Sequence, residues 1–372
     1  MIVYQQASDL LASIEQPLFF CDNNLFALRR TVTSKAQLLD ETYDKLIRVS
    51  TGSAVTLELG KGLLDVMPTT VYLLTHHSRK CSANCLFCPQ ARGSSSRSDL
   101  LSRVSWPLFR LEEVVDGLVR AKDRVRRACI QAINYLGVVD DILAIVPQIL
   151  SKASIDISVS CQPMDTDALR KLHKAGIDRI GIPLDAATPE LFSIVKGSRA
   201  GGPYTWEAHM HALHQAVSVF GTDRVTTHVI VGLGETDQDM LRFIQAMVDL
   251  GIYPALFAFT PIPGTMLEKN PPPLLSRYRI IQTAHFLLAN RLVGIEKMRF
   301  DPTGAVVGFG ISREELIPVI RSGLPYLTSG CPNCNRPFYN EKPSGPIYNF
   351  PRPLTPTEIE EVERTLDCVC HG

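Results

Sequence analysis

Three closely spaced cysteines are the residues of this chain best suited to chemistry. The segment KCSANCLFCPQ gives Cys81, Cys85 and Cys88 a C-x-x-x-C-x-x-C spacing directly after an apolar run. A [4Fe–4S] cluster held by four thiolates is coordinatively closed and suits electron transfer. Three thiolates leave one iron open, so this spacing predicts a cluster whose open iron binds a cosubstrate.

Zinc, or buried cysteines without a special role, are the alternatives. Zinc normally takes four ligands, often from C-x-x-C pairs. The nearest further candidates, His76 and His77, come before the cysteines on a predicted strand. The cluster is favoured because the spacing, the position after a strand and the surrounding α/β pattern agree.

Composition excludes several classes of protein. The chain has 372 residues and no formal net charge, which gives no electrostatic reason to expect nucleic acid or an anionic membrane as a partner. No apolar run approaches the ~20 residues that span a bilayer, and the first residues do not read as a signal peptide. We therefore expect a cytoplasmic protein.

Ten cysteines in a reducing compartment indicate metal binding or catalysis rather than disulfides.

The pattern of apolar runs predicts an α/β fold built on a parallel (β/α) barrel or a partial TIM barrel. Six runs alternate with amphipathic stretches between about residues 70 and 262, as in successive βαβ units. We expect a helical N-terminal segment over 1–68, the barrel over 69–325, and a cysteine-containing C-terminal extension over 326–372. In such barrels the reactive groups lie on loops at the carboxyl ends of strands, where the three cysteines fall.

CSANCLFCPQA resembles the radical S-adenosyl-L-methionine (SAM) superfamily, and particularly its biotin synthase branch. The resemblance covers about residues 70–262. It implies that the open iron binds the amino and carboxylate groups of SAM, and that one electron then produces a 5′-deoxyadenosyl radical. No catalytic side chain is expected beyond the cluster ligands.

The resemblance also implies a set of residues around SAM. Phe87 would shield the cluster near the adenine, and Ile230, Gly232 and Glu235 match an I-x-G-x-x-E stretch beside the adenine. Asp185 would bridge the ribose hydroxyls. The alternatives are a plain strand-to-helix turn at Glu235 and a helix N-cap or turn at Asp185.

Two further contacts with the methionine part of SAM are expected. The superfamily commonly has a Gly-Gly-Glu stretch after its second strand, where this chain has AINYLG, so Asn134 or backbone groups would substitute. Arg199 is the candidate cation for the carboxylate.

Four cysteines near the C-terminus form a second set. Cys331, Cys334, Cys368 and Cys370 make a C-x-x-C and a C-x-C. Four thiolates suit either a structural zinc ion, slightly favoured on physical grounds alone, or a second iron–sulfur cluster.

The tail GCPNCNRPFYNEKPSGPIYNFPRPL resembles the two-protein, biotin-synthase-like lipoyl synthases. In that family two related radical SAM proteins insert sulfur into a protein-bound octanoyl chain, and a sacrificed cluster supplies the sulfide. The resemblance favours an auxiliary [4Fe–4S] cluster over zinc. It implies three partners, namely an octanoylated lipoyl-carrier protein or domain, a second radical SAM protein, and a reductant such as ferredoxin or flavodoxin.

Three cysteines remain. Cys129 and Cys161 fall near two ligands of the biotin synthase auxiliary cluster, but the third position of that set holds Thr226, Thr227 and His228. We interpret both as buried small residues, and Cys21 receives no functional interpretation.

Two other functions stay open. One is a radical SAM isomerase or small-molecule synthase, related to methylornithine synthase, with a structural metal site in the tail. The other is a non-catalytic iron–sulfur scaffold or electron carrier.

Overall fold

The computed structural model describes residues 45–370 and, within them, the side chains up to residue 366. The strands are β1 Leu46–Val49, β2 Thr70–Thr75, β3 Leu100–Leu101, β4 Val104–Ser105, β5 Leu108–Arg110, β6 Arg127–Gln131, β7 Asp156–Ser160, β8 Arg179–Gly181, β9 Val225–Val231, β10 Ile252–Ala258, β11 Arg299–Phe300 and β12 Val306–Gly308. The helices are α1 Thr51–Thr56, α2 Leu111–Arg120, α3 Val138–Lys152, α4 Thr166–Lys174, α5 Pro189–Val195, α6 Trp206–Phe220, α7 Asp237–Asp249, α8 Leu275–Ala289, α9 Arg313–Arg321 and α10 Pro356–Cys370.

Six strands run parallel in the order β10, β9, β8, β7, β6 and β2. They are the six apolar runs identified in the sequence, and at least one helix separates each from the next along the chain. Beyond β2 the sheet continues with β1 and β5 in antiparallel pairing. The expected α/β fold, a partial parallel barrel, is confirmed.

Burial on both faces explains why these runs become parallel strands. All six residues of β2 are buried, as expected where helices cover one face of a sheet and the barrel interior the other. The connecting helices bury a single stripe. In α2 the buried side chains include Leu111, Val114 and Leu118, which recur at the helical period.

The C-terminal extension crosses the open side of the barrel. Within the described residues, β10 and β2 end the parallel part of the sheet and do not pair with each other. The Leu256 amide of β10 donates to Ser329 Oγ at 2.8 Å, and the Thr69 amide just before β2 donates to Asn335 Oδ1 at 3.0 Å. Residues 329–335 therefore bridge the two edges.

Helix α8 holds the extension in place from outside the barrel. Arg279, almost fully buried, donates to the carbonyls of Tyr348 at 2.6 Å and Ile347 at 2.5 Å. The Glu341 carboxylate accepts from the Asn349 amide at 2.7 Å. These bonds fix the path of an extension that has little regular secondary structure.

The expected helical N-terminal segment lies largely outside the described residues, which begin at residue 45. In the described part, Leu46–Val49 is a strand where the pattern predicts a helix. The reason is its position, since β1 inserts between β2 and β5 and fully buries Ile47 and Val49. Within residues 45–370, no helix is both long enough and apolar enough to cross a membrane.

Candidate active site

The loop that carries the first three cysteines leaves the carboxyl end of β2 and folds back on itself. The Cys81 amide donates to the Gln90 carbonyl at 3.0 Å, and the Cys88 amide donates to the Cys85 carbonyl at 3.1 Å. Lys80 stabilises the loop from its centre, because its ammonium donates to the carbonyls of Pro89, Ser94 and Ser96. The three cysteines are thus held by a compact, internally bonded loop.

The three thiols lie close enough to interact electrostatically. Burial raises the pKa of Cys88 to about 12, and the neighbouring Cys81 thiol adds to the rise. Burial also raises the pKa of Cys85 well above its ordinary value, while the Lys196 ammonium opposes that rise. The loop also contacts the turn that follows β6, because the Asn134 amide donates to Cys81 Sγ at 3.2 Å.

No three His, Cys, Asp or Glu side chains among the described residues converge where one metal ion could bind. His77, one candidate fourth ligand for zinc, stacks on Tyr135 with ring centroids 4.6 Å apart. A mononuclear zinc site needs all its donors about 2.0–2.3 Å from one centre. A polynuclear cluster has several metal atoms, so thiolates that do not converge on one point can still bind it.

Asp185 lies beside the cysteine loop and pairs with a buried lysine. Lys196 Nζ donates to Asp185 Oδ2 at 2.8 Å and also to the Pro183 carbonyl. The Lys196 side chain is fully buried, and Asp185 has a left-handed backbone with φ of +66°. Sequence reasoning missed Lys196, because nothing in IVKGSRA distinguishes it from a surface lysine.

Arg199, the expected cation, lies at the surface. Its side chain is 59% exposed and forms an ion pair with Glu190, and the described structure shows no contact between it and the cysteine loop. The short helical turn Ser198–Ala200 directs it outward. Lys196 is instead the cation beside the cysteines.

The I-x-G-x-x-E stretch forms the turn after β9. The Glu235 carboxylate accepts from the amides of Gly232, Leu233 and Gly234 at 2.8–3.1 Å, and it also pairs with Arg277. Glu235 therefore shapes the turn from within, and its oxygens are already occupied. Gly232 has φ of +104°, which a residue with a side chain rarely adopts.

A cavity of about 210 Å³ lies between the cysteine loop, the inner face of the sheet and the C-terminal extension. Four residues of the predicted SAM site line this cavity: Phe87, Cys88, Asp185 and Ile230. The apolar part of its wall includes Leu101, Ala255, Phe257, Phe259 and Ile262. His228 faces it as well, and burial lowers the pKa of this imidazole to about 4, so it is neutral at pH 7.

The cavity is also lined by a second set of thiols, which we call the inner thiol group: Cys129, Cys331 and Cys334. Burial raises the pKa of Cys129 to about 12, and the thiol of Cys331, followed by that of Cys334, adds to the rise. Cys334 Sγ lies 3.1 Å from the Tyr72 hydroxyl. Two predicted tail ligands thus lie beside a strand cysteine that sequence reasoning set aside.

Cys161 is separate from this group in the described structure. Cys161 is 2% exposed within the main apolar core and does not line the cavity. Cys368 and Cys370 belong to the last turns of α10, but their side chains lie outside the described residues, as does Cys21.

Comparison with known proteins finds a family match over the barrel. Residues 75–247 match the family model described as the radical SAM superfamily. The chain therefore contains a radical SAM domain. Within the superfamily, the biotin-synthase-like branch is supported by the relatives it matches.

A biotin synthase of Hydrogenobaculum sp. (strain Y04AAS1) is 27% identical over 206 residues, which cover 54% of this chain and 58% of the relative. The bacteriochlorophyllide c C-7(1)-hydroxylase of Chlorobaculum limnaeum is 25% identical over 160 residues, covering 43% and 39%. This chain thus spans less than two thirds of the length of these relatives.

Among solved structures, methylornithine synthase aligns over 90% of this chain and 89% of its own, with 14% identity and a TM-score of 0.46. The FeFe-hydrogenase maturase HydG from Carboxydothermus hydrogenoformans aligns over 58% and 50%, with 21% identity and a TM-score of 0.45.

Proposed function

We propose that this protein is a radical SAM enzyme that inserts sulfur into a protein-bound octanoyl-lysyl group, as one component of a two-protein lipoyl synthase. The observation that carries the proposal is one cavity that is lined by Cys88 and also by Cys331 and Cys334. Sulfur insertion at an unactivated carbon needs a radical source and a sulfur donor within reach of the same carbon. A shared cavity meets that requirement.

Cys81, Cys85 and Cys88 are the residues that would hold the SAM-cleaving [4Fe–4S] cluster. The donor set fits, because three thiols on one compact loop lie close enough to interact electrostatically without converging on one point. Bound there, the cluster supplies the electron that cleaves SAM to methionine and a 5′-deoxyadenosyl radical. The neighbouring Lys196 ammonium stabilises the charged form of Cys85.

Different residues of this site would contact different parts of SAM. Asp185 offers its carboxylate to the ribose hydroxyls, with Lys196 fixing its orientation. Phe87 and Ile230 supply apolar surface that excludes water from the radical. Gly232 brings backbone close to the adenine on the turn that Glu235 stabilises.

The apolar part of the cavity suits an acyl chain. Leu101, Phe257, Phe259 and Ile262 contribute side chains without charge. Each methylene group that leaves water for such a surface gains about 0.8 kcal/mol. Burial of its methylene groups against these side chains is therefore what would bind a hydrocarbon chain, which has no groups that form hydrogen bonds.

The partners follow from this reaction. The octanoyl group arrives on a lipoyl-carrier protein or domain, a second related radical SAM protein completes the pair of insertions, and ferredoxin or flavodoxin supplies electrons. A cytoplasmic location, expected from the sequence, is compatible with these partners.

Anaerobic incubation with an octanoyl-lysyl peptide, SAM and dithionite tests the proposal. Mass spectrometry is expected to show 5′-deoxyadenosine together with a peptide product that has gained one sulfur atom. Cys81→Ala should abolish both products. Cys331→Ala should retain cleavage of SAM and lose sulfur transfer, whereas Cys161→Ala, a change at a buried cysteine outside the cavity, should retain both.

Two results would overturn parts of the proposal. Formation of 5′-deoxyadenosine with no sulfur in the peptide, with and without the second radical SAM protein, would favour a small-molecule synthase. Failure of the reduced wild-type protein to cleave SAM at all would favour an iron–sulfur scaffold or electron carrier.

A further inference from the structure

A second cavity, of about 130 Å³, lies between strands β1 and β2 and the segment that leads into the cysteine loop. Arg48 of β1 is in register with Leu74 of β2, so the two side chains project to the same face of the sheet, and both line this cavity. The predicted SAM contacts, all of which lie within the described residues, do not line it. The cavity is about tenfold larger than the smallest that holds one water molecule, so it has room for a small ligand.

The charged side chains around this second cavity, which we call the basic cavity, have one sign. They are Arg48, Arg79 and Lys80, with His76 and His77 beside them, and no Asp or Glu lines the cavity among the described residues. Burial lowers the pKa of His76, and the Arg48 guanidinium and His77 lower it further. Such a shift is expected where positive groups share a small space without a counter-charge.

The groups near the basic cavity that could compensate these charges are engaged elsewhere. Lys80 binds three carbonyls of the cysteine loop, and Gln90 donates to two more at 2.9 and 2.6 Å. Hydrogen bonds from Arg97 lower the pKa of Asp99, to which Arg48 contributes less. The Asp99 carboxylate is therefore mainly the partner of Arg97, and the guanidinium of Arg48 keeps its charge uncompensated.

Hydrogen-bond donors in the basic cavity remain available to a ligand. His76 Nδ1 is buried, and the described residues offer it no hydrogen-bond partner. Buried polar atoms are nearly always hydrogen-bonded, so a ligand atom or a water molecule belongs beside it. Arg48 donates to the Trp106 carbonyl at 2.9 Å, which leaves further N–H groups of its fork. The His77 ring is fixed, because its Nδ1 accepts from the Arg79 amide at 3.1 Å.

The chemistry of the ligand follows from these groups. A guanidinium matches the planar, paired oxygens of a carboxylate and the oxygens of a phosphate. A neutral ligand would leave several buried or half-buried positive charges uncompensated, which is costly. A negatively charged oxygen compound satisfies both the charges and the open donors.

We propose that the basic cavity binds a small oxyanion, a phosphate or a carboxylate, through Arg48, His76 and Arg79. Lys80 connects this site to the cysteine loop, since its ammonium also lies near the Cys88 thiol. The anion offsets the repulsion among the positive groups and thereby stabilises the segment that leads into the three cysteines. The site is separate from the predicted SAM contacts and does not depend on the proposed sulfur-inserting function.

Calorimetric titration of the anaerobically reconstituted protein with inorganic phosphate, sulfate or acetate, at constant ionic strength, tests this proposal. We expect saturable binding at one site. Arg48→Met and His76→Leu should each weaken it at least tenfold, and Arg48→Lys, which keeps the charge, should weaken it less than Arg48→Met. Arg199→Met, which removes an exposed cation, is the control and should bind as the wild type does. Tighter binding of phosphate and sulfate would identify a phosphoryl group as the natural ligand, and tighter binding of acetate a carboxylate; both support the site.

Two measurements on the wild-type protein do not depend on how the variants fold. Phosphate at constant ionic strength should raise the melting temperature, because a ligand that binds the folded state stabilises it. It should also slow tryptic cleavage after Arg79 at least threefold, with cleavage after Arg199 unchanged as the internal control.

Two results would overturn the proposal. One is the absence of saturable binding for all three anions, which would mean that the basic cavity holds water only. The other is binding of undiminished affinity by both the Arg48→Met and the His76→Leu proteins, which would place the anion elsewhere. Failure of the wild-type protein to transfer sulfur would count against the proposed function and leave this site unaffected.

Discussion

The buried ion pair between Lys196 and Asp185 makes a quantitative prediction about stability. The Lys196 side chain is fully buried, that of Asp185 is 11% exposed, and the two charged atoms are 2.8 Å apart. Removing one member of such a pair leaves an uncompensated buried charge, which costs about 3–5 kcal/mol. Lys196→Met keeps much of the side-chain volume, and we therefore expect it to lower the free energy of unfolding by about that amount.

A double-mutant cycle separates the pair from the packing around it. Asp185→Asn should also be strongly destabilising, because the buried ammonium loses its counter-ion and keeps uncharged partners, the Pro183 carbonyl and the rings of Phe192 and Tyr204. The double variant should be less destabilised than the sum of the two single variants by about 2 kcal/mol or more, since neither charge is then left alone.

Urea unfolding of the anaerobically purified proteins, followed by circular dichroism, measures all four free energies. Arg199→Met, which removes an exposed cation three residues away, is the matched control and should change stability by less than about 1 kcal/mol. A Lys196→Met protein as stable as this control, or single effects that simply add, would refute the reasoning.

Three further predictions concern the framework of the site. Glu235→Gln should lower the free energy of unfolding by about 2 kcal/mol in urea titrations, because the carboxylate serves three backbone amides; an unchanged midpoint would contradict this. Burial lowers the pKa of His285 to about 4, so its contribution to stability is present above pH 6.5 and is lost as the pH falls toward 4. Between pH 7 and pH 5 the wild-type protein should lose about 2 kcal/mol more than His285→Gln, and equal losses would contradict this. Arg279→Met should release the extension and speed chymotryptic cleavage after Phe338 or Tyr339 at least tenfold, whereas the more exposed Arg352→Met should not.

The sequence predicted the barrel because its signal is local. Each of the six strands is a short apolar run closed by turn residues, and burial on both faces makes such a run recognisable without knowing its neighbours. The cysteine loop is equally local, since Cys81, Cys85 and Cys88 fall within eight residues. Both features could therefore be identified from residue types and spacing.

The inner thiol group could not be predicted in the same way. The run RACIQ does not reveal whether Cys129 faces the helices or the interior, because that depends on its register with β2 and β7. The extension has no periodicity, and its contacts reach residues more than 260 positions away, as between Tyr72 and Cys334. Lys196 was missed for a similar reason, since only the fold buries it.

The acyl chain itself offers the most direct test of the proposal that a radical formed at the first cysteine loop acts in the cavity. The reduced, reconstituted protein is incubated with SAM and a peptide whose octanoyl-lysyl chain is fully deuterated. The 5′-deoxyadenosine formed is then examined by mass spectrometry. We predict that it contains one deuterium when the labelled peptide is present and none with the unlabelled peptide. Unlabelled 5′-deoxyadenosine in the presence of the deuterated peptide would contradict the account.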